Sequence, residues 1–200
     1  MSALAQTCTV NDTTITNDLY TMSSISLKKI PTMNQKQHLI VNALVFQAAW
    51  FLCVLGGSIV AVATTIIVLV LHLQWVPDKR RELVFLMQCA GIGFVCDLIL
   101  VQGGVLITGG SLPPIWLSCL WPLFGSTVGF ALRAFHGRFL MCVVGGALLA
   151  PLSYFGGVRL SGSTLLEPTW LAMVIVGAFW AVIFPMLIHL YTVNRLRTEA

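Results

Sequence analysis

Six long apolar runs dominate this chain, and runs of that kind leave few folds open. They are Leu39–Leu55, Ser58–Val76, Leu83–Thr108, Ile115–Phe135, Phe139–Phe155 and Thr169–Tyr191. A helix needs about 20 residues to cross a hydrocarbon core of ~30 Å, with roughly 17 to 25 tolerated. All six runs qualify. None alternates with period two, and all are too long for barrel strands. Helices satisfy their own backbone hydrogen bonds, so they are the spanning structure that remains. Read as one helix, the first two runs would be roughly 57 Å long at about 1.5 Å per residue. That is too long for one crossing, and Gly56-Gly57-Ser58 is the natural place for a hairpin.

Composition agrees with this reading. Apolar residues make up 58% of the chain and charged ones 9%, with a mean hydropathy of +0.91. A soluble domain carries roughly a quarter of its residues charged. The net charge of +4 does not point to nucleic acid, because Lys and Arg sit in short clusters between apolar runs and form no continuous basic face. With six spans, Lys28, Lys29, Lys36, Lys79, Arg80, Arg81, Arg133, Arg138, Arg195 and Arg197 fall on one side and Arg159 on the other. The positive-inside rule makes the first side cytoplasmic. The sequence therefore predicts an all-α integral membrane protein with six transmembrane helices and both termini cytoplasmic. A polar, disordered N-terminal tail is expected over 1–37, the six-helix domain over 38–195 and a short cytoplasmic tail over 196–200.

Side chains within the runs suggest how the helices pack. Gly125/Gly129, Gly146/Ala150 and Gly177/Ala181 are small residues four apart, which predicts close contact among the last three helices or a dimer interface. Pro122, Pro151 and Pro185 should free the carbonyls of Ser118, Ala147 and Ala181 and kink each helix. Trp50, Trp75, Trp116, Trp121 and Trp170 lie near span ends, as in an interfacial belt, whereas Trp180 is mid-span and should pack between helices. Asn42, Gln47, Gln88 and Gln102 read as interhelical hydrogen-bonding groups. Cys53, Cys89, Cys96, Cys119 and Cys142 fall in apolar runs without a CxxC pair and act as small hydrophobes. His72 and His189 have no His or carboxylate partner at ligand spacing, so no metal site and no cofactor are expected.

Asp97 is the strongest single polar signal. It lies fourteen residues past Leu83, roughly 21 Å from the inner edge. An acidic group at that depth is costly and faces the bundle interior. Tyr154, fifteen residues past Phe139, is level with it at about 22 Å. Arg159 is on the outer rim, from where its long side chain could reach inward. The expected site is thus an outer-half cluster of Asp97, Tyr154 and Arg159. A structural carboxyl joining helices, a proton relay, a ligand contact and a catalytic acid all remain open for it.

Several segments resemble a bacterial inner-membrane family known as domain of unknown function 2878. They are NALVFQAAWFLCVLGG, the basic loop PDKRREL, CDLILVQGGVLIT, PPIWLSCLWPLF and GALLAPLSYFGGVRL, together spanning about residues 37–195. The resemblance implies that Asp97, Pro113, Pro114, Trp116, Pro151, Tyr154 and Arg159 occupy the family's recognisable positions. It carries over no activity. It implies a multi-pass protein of the bacterial inner (plasma) membrane in an envelope-lipid context, since relatives sit beside genes for fatty-acid-modifying methyltransferases. Three functions follow: an accessory in envelope or lipid homeostasis, a small proton-coupled transporter, or a membrane-embedded lipid-modifying enzyme. The expected partners are membrane lipids and either another membrane protein or a second copy of the chain, without nucleic acid.

Overall fold

The computed structural model describes residues 34–196. The expected polar tail falls almost wholly on residues 1–33, outside the described residues, as does most of the C-terminal tail. The elements are α1 (Gln35–Trp75), α2 (Lys79–Gln102), β1 (Leu106–Ile107), α3 (Ile115–Val128), a 3-10 turn (Arg133–Phe135), α4 (Phe139–Ser161), β2 (Thr164–Leu165) and α5 (Thr169–Leu196). Four helices, α1, α2, α4 and α5, are long and apolar enough to cross a membrane. By that measure the chain is an all-helical membrane protein.

α1 is two helical legs. Gly57 is non-helical, with φ 70° and ψ −173°, a conformation open to a residue without a Cβ. The rings of His38 and Trp75 lie 5.7 Å apart. Along a straight helix these residues would be about 55 Å apart. Cys53 Sγ also comes within 3.9 Å of the Ala61 carbonyl across the turn, and both residues are fully buried. The hairpin expected at Gly56-Gly57-Ser58 therefore forms, with legs over 35–56 and 58–75. Away from that seam its large side chains, among them Leu44, Leu55, Ile59 and Ile66, are exposed, as lipid-facing positions would be.

Boundaries follow local chemistry. α2 starts where the Asp78 carboxylate accepts a hydrogen bond from the Arg81 amide, and stops at Gly103. The third apolar run therefore ends its helix at Gln102, and residues 105–107 leave it to pair as a short antiparallel ribbon, Leu106 with Leu165 and Ile107 with Thr164. α3 is shorter than the run Ile115–Phe135 predicts. Its last turn carries Ser126 and Thr127, whose hydroxyls donate back to the Leu123 and Phe124 carbonyls, a habit that weakens helical continuation. Side chains then satisfy the frayed end: Asn42 Nδ2 donates to the Ser126 carbonyl, Asn42 Oδ1 accepts from the Ala131 amide, and His136 Nε2 donates to the Val128 carbonyl.

α3 sits inside, packed between the hairpin and α2, while α4 and α5 form a second tight pair. The small residues explain that pair. A Cβ at Gly146 would fall on the Trp180 carbonyl, and one at Gly177 would lie 2.7 Å from the Ala147 carbonyl. The latter oxygen is the one Pro151 leaves without a helical donor, so the freed carbonyl faces the Cα of Gly177. Pro122, Pro151 and Pro185 all lie inside continuous helices; the break in regular structure is at Gly57. The expectation of one three-helix contact is corrected in part: Gly125 faces Cys89 and Leu86 of α2, and Gly129 faces Tyr191. Replacing Gly146 by Leu should destabilise the protein by roughly 1–3 kcal/mol through overpacking, whereas Gly91→Ala, facing open space inside a helix, should be neutral or stabilise by up to about 1 kcal/mol. Thermal unfolding of the two variants in detergent checks the contrast.

Candidate functional site

α2 buries one face, made of Glu82, Phe85, Leu86, Cys89, Gly93, Cys96, Asp97 and Leu100. Three- and four-residue spacing puts these on one stripe, so both carboxylates point into the bundle. Asp97 is 0% exposed. Its Oδ1 accepts from the Tyr154 hydroxyl at 2.5 Å and its Oδ2 from the Trp121 indole N–H at 2.7 Å. One carboxyl therefore joins α2, α3 and α4. Gly93, one turn earlier, makes this possible, because a side chain there would occupy the space of the Trp121 ring. Trp180 of α5 completes the cluster by stacking on Trp121, centroids 4.8 Å apart and planes 11° off parallel.

Asp97 and Tyr154 thus meet as the depth arithmetic predicts. Arg159 does not join them: it is exposed, with its guanidinium 4.8 Å over the Phe155 ring. Tyr154 and Arg159 are five residues apart, about 140° round the helix, and cannot share a face. Trp116 and Trp121, expected at span ends, are buried, Trp180 packs between helices as expected, and Trp75 and Trp170 are 47% and 65% exposed.

The aromatic cluster borders a cavity. A space of about 620 Å³ lies between the first leg of α1, α3, α4 and α5, with Phe124, Ser153, Tyr154, Trp180 and Phe184 among its walls. A smaller space of about 70 Å³, capped by Leu106 of the ribbon, shares Tyr154 and Trp180 with it. Phe51, Leu149 and Leu160 edge the larger space and are exposed, so it opens sideways. The Trp50 indole N–H donates to Ser153 Oγ at 3.1 Å across the opening. From Gly145 to Leu160 the groove runs roughly 22 Å along α4, most of the thickness of a ~30 Å hydrocarbon core.

A second buried polar cluster lies at the opposite end. Glu82, 1% exposed, accepts from His72 Nε2 at 2.9 Å and from Arg195 Nη2 at 2.8 Å. Asn194 Nδ2 donates to Gln88 Oε1 at 2.7 Å one layer deeper. Sequence spacing did not reveal this group, because the carboxylate that pairs with His72 lies ten residues away, outside ligand spacing. The available signal was the short turn Val76-Pro77-Asp78: His72 and Glu82 are each five residues from Pro77, so a tight hairpin sets them opposite one another.

No curated protein and no solved structure matches the chain. The family described as protein of unknown function (DUF2878) matches residues 39–186. That range takes in Asp97, Trp121, Tyr154, Trp180 and the groove walls, and it includes His72 and Glu82 while stopping short of Arg195. Matched over most of its length, this chain belongs to the DUF2878 family.

Proposed function

We propose that the protein crosses the bacterial inner membrane six times and acts as an accessory in envelope-lipid homeostasis by holding a lipid chain in its lateral groove. Six crossings follow if each leg of α1 spans the bilayer and α3, with the turn after it, completes a fourth pass. Lys36, Lys79, Arg80, Arg81, Arg133, Arg138 and Arg195 lie at the bundle end that holds both described termini, while Arg159 lies at the other. The positive-inside rule then makes the first end cytoplasmic.

The observation carrying the lipid reading is the groove itself. It is long, aromatic, open to the side and walled by few polar groups, features that suit an extended apolar chain. A proton-relay reading has less support. Between Glu82 and Asp97 the buried face of α2 presents Phe85, Leu86, Cys89, Gly93 and Cys96, a stretch without a strong proton acceptor.

Gly156 provides the test, because a Cβ there meets only Trp50, at an ordinary 3.7 Å. Gly156→Leu should fold normally and fill the groove. Lipid extracted from purified protein and quantified by mass spectrometry should fall at least several-fold in this variant. Equal lipid retention by variant and wild type would end the proposal. In cells, deleting the gene should alter acyl-chain composition, and wild type should restore it where Gly156→Leu does not.

A further inference from the structure

A third cavity, of about 270 Å³, opens at the end of the bundle opposite the ribbon, lined by Phe135, Gly137, Arg138, Phe139, Cys142, Pro185, Ile188, His189 and Thr192. Its chemistry is unlike that of the groove. Arg138 and His189 supply cationic or donor groups, Thr192 a hydroxyl, and no carboxylate of the described residues lines it. Among the described residues Arg138 makes no ion pair, and its guanidinium donates to Met141 Sδ at 3.5 Å. Among the described residues, the carboxylates at this end are engaged, Asp78 by Arg81 and Glu82 by His72 and Arg195.

Phe135 lines both this cavity and the groove, and it packs on Phe184 with centroids 5.0 Å apart. The apolar groove and the open cavity bearing Arg138 and His189 therefore share a wall at one ring. A molecule with an anionic head and a long apolar chain fits both at once. We propose that the chamber at Arg138 and His189 binds the phosphate of an anionic phospholipid from the inner leaflet, whose chain passes Phe135 into the groove. The inference rests on the orientation and the groove reading above.

The chamber can be tested apart from the groove with a lipid too short to fill it. Dihexanoyl phosphatidylglycerol and dihexanoyl phosphatidylcholine are titrated against the full protein in neutral detergent, with bound lipid read by native mass spectrometry. Wild type should prefer the anionic lipid, and Arg138→Gln with His189→Gln should weaken that binding about tenfold, the loss expected for a charge-assisted contact. Arg133→Gln, outside the chamber, should leave it unchanged. Equal binding of the two lipids, or an equal effect of Arg133→Gln, would show diffuse surface charge and overturn the site. Displacement of the lipid by inorganic phosphate at the same concentration would overturn the lipid assignment. If Gly156→Leu keeps wild-type levels of long-chain lipid while the Arg138 variant loses the short one, the groove reading fails and the chamber stands.

Discussion

Replacing Arg195 by Met should destabilise the protein by about 2–4 kcal/mol, since the buried Glu82 carboxylate loses its guanidinium and keeps only His72. The asymmetry of burial decides which partner matters more. Arg195 keeps 35% of its side chain exposed, whereas the Glu82 side chain keeps 1%. Without Glu82 the guanidinium can turn back to water; without Arg195 the carboxylate cannot. Glu82→Gln should therefore be milder, costing one hydrogen bond of about 1–3 kcal/mol where its amide meets a donor. The double variant Glu82→Met with Arg195→Met should recover part of the loss, since the buried ion is gone although the buried His72 Nε2 then lacks its acceptor. Thermal unfolding of all three in detergent checks the order. A double variant less stable than Arg195→Met alone would contradict the account.

Asp97→Leu should have a comparable effect for a different reason. It strands two donors, the Tyr154 hydroxyl and the Trp121 indole, in the middle of the bundle. Each orphaned donor costs about 1–3 kcal/mol, so the total is roughly 2–6 kcal/mol. Asp97→Asn retains one acceptor and should lose about half as much. Adding Tyr154→Phe to Asp97→Leu removes one of the stranded groups and should restore part of the stability. Membrane accumulation and unfolding temperature should fall in the order wild type, Asn, Leu. Identical values for all three would mean that Asp97 does not join the helices.

The fold was legible to the extent that it rests on hydrophobic length. The six runs each contain a helical segment, because an apolar stretch of that size has no other way to satisfy its backbone. Gly57 was readable because two glycines and a serine interrupt a run too long to be straight. The early end of α3 was not, since nothing in Ile115–Phe135 becomes polar enough to mark it. The end is set by Ser126 and Thr127 bonding backward and by Asn42, eighty-four residues away, meeting the freed carbonyl.

The candidate site was legible in one coordinate only. Counting residues gives depth along the bundle axis, which brought Asp97 level with Tyr154. It does not give azimuth, which excludes Arg159 and admits Trp121. Trp121 was assigned to the interface by its distance from a span end, yet Gly93 opens a slot that draws its ring inward. The Glu82 cluster was hidden by its setting in the basic segment PDKRREL, where a glutamate reads as part of a solvated loop. The turn at Pro77 sets Glu82 opposite His72, and the packing of α5 against α2 shows that this carboxylate turns inside.

Both internal acids ride on α2, and this has a consequence for how the protein is made. A segment with an aspartate inside its apolar stretch enters the bilayer reluctantly, at a cost of up to about 2.5–3.5 kcal/mol. Glu82 finds His72 already synthesised, but Asp97 must wait for Trp121 and Tyr154, and Arg195 leaves the ribosome last of all. Order of translation thereby becomes order of assembly. A nascent chain halted before α5 keeps the Glu82 acid without its guanidinium.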